Sequence, residues 1–311
     1  MGNAFLCRAA RPAPALIIGL TSAILILGVF PAADWVATGD ERALRLFFDY
    51  AGALWLIALT LAELGLCLLA RAQFSRGEPL RKVWSLVSLS AAAHAAGSIL
   101  SQALGTSTGL NPFAGDTGWP REAVRQWGLT IGGPLQMTFL APALALALKT
   151  YRRSGLLPRI RPTDWILLSV VGGFAVWQIY EVVIYWGPNK IVDIHEAITV
   201  ITDPLLCLLL AEAILIRRSV LNMGWGLIGL CWSAFTAAIF LTSVGNIGLW
   251  LTTNIALPKA LVASTWYVWF LVYAAYALAP AYQVEACRRA VRPLVMPLKP
   301  VLWGRLRRPA A

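Results

Sequence analysis

The sequence predicts an all-α fold, a polytopic integral membrane helical bundle of about eight transmembrane helices with cytoplasmic N and C termini. Composition comes first: 59% of the 311 residues are hydrophobic and 13% are charged, about half the charged fraction of an ordinary soluble domain. Too few polar side chains remain to cover a water-facing globule. Second, the apolar residues fall into stretches of about 20, the length needed to cross a hydrocarbon core about 30 Å thick. Third, Lys and Arg gather in alternate gaps between those stretches, as they do in loops retained on the cytoplasmic side.

In chain order the expected spans are 15–37, 43–70, 83–104, 127–148, 165–186, 191–216, 225–249 and 257–282. Before the first, Arg8 and Arg11 lead into the apolar run 16–30, a layout shared with signal peptides. Pro31-Ala32-Ala33 lacks a good small-x-small cleavage pattern, so a retained helix is expected; cleavage would leave seven spans. The second and sixth spans exceed the length needed, so they tilt or protrude. Gly, Pro and Asn in 106–122 mark an irregular outer loop. After residue 283 the chain turns basic, and Pro293, Pro297 and Pro300 argue against one continuous helix. Residues 1–283 therefore form a single transmembrane domain, and 284–311 a basic strip lying on headgroups. Leu-Ala-Glu recurs at 61–63 and 210–212, a triplet too short to define a repeat.

With the N terminus inside, 20 of the 26 Lys and Arg fall in inner segments and six in outer loops. The net charge of +11 is thus spread over loops rather than over one soluble module, which excludes nucleic acid as a partner. It points instead to the lipid bilayer, with anionic headgroups at the basic inner loops and tail, and to a bacterial inner membrane. The five cysteines form no CxxC and no paired spacing, so no disulfide and no cysteine-held metal is expected.

Function is sought in the polar residues at membrane depth. An ionisable side chain there costs about 2.5 to 3.5 kcal/mol on insertion scales, so it faces protein or water. Asp49 and Glu63 sit on the second span, fourteen residues apart, and return to within about 40° of one helix face. His94 lies mid-span among Ala, Ser and Gly, which permit close helix approach. On the fifth span Gln178 and Glu181 share a face; on the sixth, His195 and Glu196 fall at the depth of Glu181. A "GPNK" turn makes those spans antiparallel neighbours, which brings Glu181 toward His195 or Glu196. Farther in, Asp203 shares a face with Glu196 and is flanked by Thr199, just before Pro204. Glu212, on the other side, is expected to pair with Arg217.

These nine residues, Glu181, His195, Glu196, Asp203, Gln178, Thr199, Asp49, Glu63 and His94, are the candidate ligand- or proton-binding set. No HxxxH or ExxH spacing supports a metal, and two histidines at different depths do not support bis-histidine haem. No cofactor is expected. GxSxG, HExxH and GxxxxGK[ST] are absent. The leading reading is a protein that binds or transports a small polar solute or protons through an outward-facing acidic cavity. The alternatives are an intramembrane enzyme using a buried carboxylate as general acid on a lipid-phase substrate, and an accessory or sensory subunit of a membrane complex.

Overall fold

The structure is a computed structural model; it describes residues 12–104, 128, 131–156, 158, 160–181, 194–221 and 226–295. It is all-helical, 91% helix with no strand among the described residues. We number the helices α1 (Ala13–Thr38), α2 (Arg42–Ala72), α3 (Pro79–Ser98, continued by a π-helical stretch Ile99–Leu104), α4 (Gln136–Arg153, preceded by a π-helical stretch Ile131–Leu135), α5 (Pro162–Tyr180), α6 (Ile194–Leu221), α7 (Leu227–Asn254) and α8 (Lys259–Val295). Five of them, α1, α2, α3, α7 and α8, are long and apolar enough to cross a membrane.

Each helix starts or stops for a local reason. Pro79 and Pro162 stand in the first turns of α3 and α5, where a missing N–H costs nothing. α1 ends at Gly39, whose φ of 81° is the left-handed cap conformation. α8 runs to Val295, past the expected break at Pro293. Toward its end Glu285 is bonded to Arg288 and Arg289 at i+3 and i+4, a spacing that stabilises a helix.

Polarity is inverted relative to a soluble protein. On α2 the exposed face carries Leu54, Leu61 and Leu68 at seven-residue spacing, while Thr60 and Glu63 are buried. α1 and α5 present Leu20, Leu27, Phe30, Ile166, Val170 and Val176 outward. Hydrocarbon outside and polar groups within is the arrangement a lipid solvent selects.

α2, α3, α4, α6, α7 and α8 pack each against the next, and α8 returns to α2, closing a circuit. α1 lies outside it against α8, where the Tyr267 hydroxyl donates to the Gly28 carbonyl at 2.6 Å, and α5 lies outside it against α6. Aromatic rings fill the middle: Trp84, Trp232, Phe235 and Tyr276 form a continuous series. One end of the bundle is basic and tied together. There Arg218 of α6 grips Asp164 of α5 with two hydrogen bonds of 2.8 and 2.6 Å. Trp232 of α7 donates to Tyr151 of α4 at 3.1 Å, and Arg217 donates to Ser233.

Where α3 crosses α4 the backbones nearly touch. A methyl group built on Gly97 would lie 2.2 Å from the Cα of Gly132 and 2.6 Å from the Gly128 carbonyl oxygen. Gly128 and Gly132 are four apart, so one glycine-lined face of this segment receives Gly97, the small-residue contact typical of helix pairs in lipid.

Candidate functional site

Inside the circuit two ionisable candidates that the sequence left on separate spans meet across helices. Nδ1 of His94 on α3 lies 2.8 Å from Oε2 of Glu63 on α2, with the residues 5% and 2% exposed. Both come from helix faces that also carry the core: Glu63 lies between Leu59 and Leu66, and His94 between Ala91 and Ala95. α8 closes the third side. The rings of Tyr273 and Tyr276 sit 4.5 and 5.6 Å from the imidazole, centroid to centroid. The Tyr276 hydroxyl lies beside Thr242 of α7. Four helices therefore contribute to one polar centre packed in aromatic rings.

From His94 a polar line continues along α3. Ser98, one turn on, donates to the Tyr273 hydroxyl at 3.3 Å, and the Ser101 hydroxyl donates to the Ser98 carbonyl at 3.3 Å. Ser90, one turn on the other side, is also buried. Residues 90, 94, 98 and 101 recur at helical spacing, so they form one stripe. The Gly97 contact with α4 sets the depth of this stripe within the bundle.

A second polar group forms on α7. Asn246 donates to Oδ1 of Asp203 at 3.1 Å, and one turn away the Trp250 indole donates to Oε2 of Glu181 at 3.0 Å. The two acids come from α6 and α5, and α7 gathers them on one face. Asp203 is 3% exposed and has no cationic partner among the described residues. Phe174 and Trp177 pack edge-on against Trp250 and hold its indole in place. Gln178 is buried one turn before Glu181. The backbone of His195, Glu196 and Thr199 belongs to the first turns of α6. Their side chains lie outside the described residues, as does the turn 187–190.

Two expectations are corrected. Glu212 does not pair with Arg217: its Oε2 has no hydrogen-bond partner among the described residues, while Arg217 reaches Ser233 on α7. Asp49 and Glu63 cannot be placed on one stripe by a regular 100° count, because Phe47–Gly52 forms a π-helical turn and resets the register between them. Asp49 is part-buried in that turn.

Several residues of these groups were missed by sequence reasoning. Asn246 is an amide in the interior of an apolar span, and that was a readable signal. Ser98 follows His94 by four residues, also readable once His94 was singled out. Tyr273 and Trp250 carried no signal of their own among eight tyrosines and fourteen tryptophans. Asp164 was overlooked because it stands just before the expected span. In the structure it is 1% exposed and forms a capping box with Arg161 in addition to its bonds to Arg218.

A carboxyl and an imidazole 2.8 Å apart can hold one proton in either of two ways. The imidazole Nδ1–H donates to a carboxylate, or a carboxylic acid donates to a neutral imidazole. Low polarity around the pair disfavours separated charges and favours movement of that proton over a short distance. No family model matches the chain, and no curated protein or solved structure matches it either.

Proposed function

We propose that this chain is a multi-pass membrane protein that binds protons at the Glu63–His94 pair and couples them to the binding or transport of a small polar solute. The reading rests on one observation: an acid and a base from different helices meet at 2.8 Å, buried, in a chain whose outer surface is apolar. Structural ion pairs in this bundle look different. Asp164–Arg218 joins an acid to a permanent cation at the basic end, whereas Glu63 and His94 are an acid and a base that can share one proton. The line His94, Tyr273, Ser98 and Ser101 supplies hydroxyls on the route toward the opposite end. Asp203 with Asn246, and Glu181 with Trp250, supply acceptors for a hydroxylated or cationic solute on that outer half. In this reading His195, Glu196 and Thr199, whose backbone begins α6, are further candidates for binding that solute in an outward-facing acidic cavity.

In this reading all eight helices span the bilayer of a bacterial inner membrane, with both termini cytoplasmic. The basic end then faces anionic inner-leaflet lipid.

The test is a pH titration of the reconstituted chain by infrared difference spectroscopy between roughly pH 4 and 10, bracketing the ordinary values of Glu and His. A protonated-carboxyl stretch should appear and vanish together with imidazole bands, be absent in Glu63→Gln, and shift its midpoint in His94→Asn. In pyranine-loaded liposomes an imposed proton gradient should collapse faster with the wild type than with Glu63→Gln. A wild-type spectrum that shows no titrating carboxyl assignable to Glu63 overturns the proposal.

A further inference from the structure

A wide, open groove of about 430 Å³ lies at the basic end of the bundle, between α4 and α6. Its lining is Ala145, Leu148, Lys149, Arg152, Arg153 and Glu212. The size falls in the range of small-ligand sites. Three cations sit on the last turns of α4, at spacings that put them on neighbouring faces of the helix end. They stand where the helix dipole is negative, so their presence alone is explained by the helix. Two other features go beyond that explanation. None of the three has an ion-pair partner among the described residues, whereas Arg218, Arg288 and Arg289 of this end each hold an acid and Arg217 reaches Ser233. The opposite wall holds part-buried Glu212, whose Oε2 has no hydrogen-bond partner among the described residues.

Three cations against one carboxylate leave the lining net positive, and Glu212 adds an acceptor beside them, so a fitting group has negative oxygens on one side and a hydrogen-bond donor on the other. A phosphate ester of a small alcohol or amine has that chemistry. The outer surface of α6 indicates how it arrives. Ile201 and Leu208 are exposed, 68% and 51%, at seven-residue spacing, and Glu212 follows Leu208 by one turn on the same face. An apolar track thus leads from the lipid-facing flank of α6 into the groove, as an acyl chain would lie with its headgroup seated among the three cations.

We infer that the groove between α4 and α6 is a binding site for a phosphate ester, the headgroup of an anionic phospholipid, with Lys149, Arg152 and Arg153 holding the phosphate and Glu212 accepting a hydrogen bond from the headgroup alcohol. The site is independent of the Glu63–His94 pair, so either reading can fail without the other.

Native mass spectrometry of the full chain from detergent tests it, with phosphatidylglycerol, phosphatidylcholine and soluble glycerol 3-phosphate as probes. Retention of phosphatidylglycerol should exceed that of phosphatidylcholine. It should fall about fivefold for each of Lys149→Gln, Arg152→Gln and Arg153→Gln, the equivalent of roughly 1 kcal/mol per cation. The three side chains are exposed, so these variants should fold. Arg76→Gln, an exposed cation of the α2–α3 connection, should retain the lipid like the wild type. Loss on Glu212→Leu without loss of phosphatidylcholine background supports the alcohol contact. Undiminished retention in the triple variant overturns the site, and so does an equal loss in Arg76→Gln, which would mean diffuse surface attraction. Glycerol 3-phosphate binding that depends on the three cations while phosphatidylglycerol does not bind keeps the phosphate chemistry and overturns the lipid as its source.

Discussion

Replacing Gly97 by alanine adds one methyl group at the crossing of α3 and α4. That methyl meets the Gly132 Cα at 2.2 Å and its nitrogen at 2.5 Å. Both are backbone atoms, so no side-chain rotation relieves the clash. Opening the contact to the 3.4 Å at which ordinary contact begins requires the helices to part by about 1.2 Å along that direction. Overpacking of this kind costs about 1 to 3 kcal/mol, and rigid backbone on both sides puts the cost at the upper end. Alanine's smaller unfolded-state entropy returns at most about 1 kcal/mol. The net expectation is a loss of about 2 kcal/mol or more, measured by reversible unfolding in mixed micelles with tryptophan fluorescence as the probe. Gly65→Ala on α2 is the control, because a methyl there meets nothing within 4 Å; it should be neutral or slightly stabilising. A Gly97→Ala protein as stable as the wild type, or a Gly65→Ala protein equally weakened, refutes the claim that glycine contact sets the α3–α4 distance.

Three further outcomes are expected. Asp164→Asn leaves the Arg218 guanidinium buried without its anion and should cost about 3 to 5 kcal/mol in the same unfolding assay. Asp164 stands just before the apolar stretch of α5; burial raises its carboxyl, but the hydrogen bonds from Arg218 and the Arg161 N–H, with the charges of Arg218 and Arg217, outweigh that and hold it below its ordinary 3.8. A lowered acid contributes its full stability above the ordinary value, so wild-type stability should fall as pH drops below 3.8 and continue falling through the lowered value, while the Asn variant lacks that component. Asn246→Ala removes the donor to buried Asp203 and should cost about 1 to 3 kcal/mol, with Asn246→Ser recovering part of it; no loss would mean that water reaches the carboxylate. Trp250→Phe keeps an aromatic ring for Phe174 and Trp177 but deletes the indole donor to Glu181, so a loss near 1 kcal/mol is expected, smaller than that of Trp250→Ala.

Much of the helix layout was legible because a lipid solvent imposes it locally. A span must satisfy its own backbone hydrogen bonds and present an apolar surface, and both demands are written in consecutive residues. The observed α1, α2 and α7, for example, match the expected 15–37, 43–70 and 225–249 to within a few residues at most ends. Glu63, His94, Asp203 and Glu181 could likewise be singled out, since an ionisable residue in an apolar stretch declares itself.

Pairing was a different matter. Charge and depth alone suggested Glu212 beside Arg217, because those residues are near in sequence. The packing order decided instead. α2 lies against α3, so Glu63 finds His94 across 31 positions. α7 lies against both α6 and α5, so Asn246 takes Asp203 and Trp250 takes Glu181. A side chain's chemistry is fixed by its own residue, but the partner that completes it is set by which helix faces meet, and here that follows from contacts such as Gly97 on Gly132 that act between distant parts of the chain.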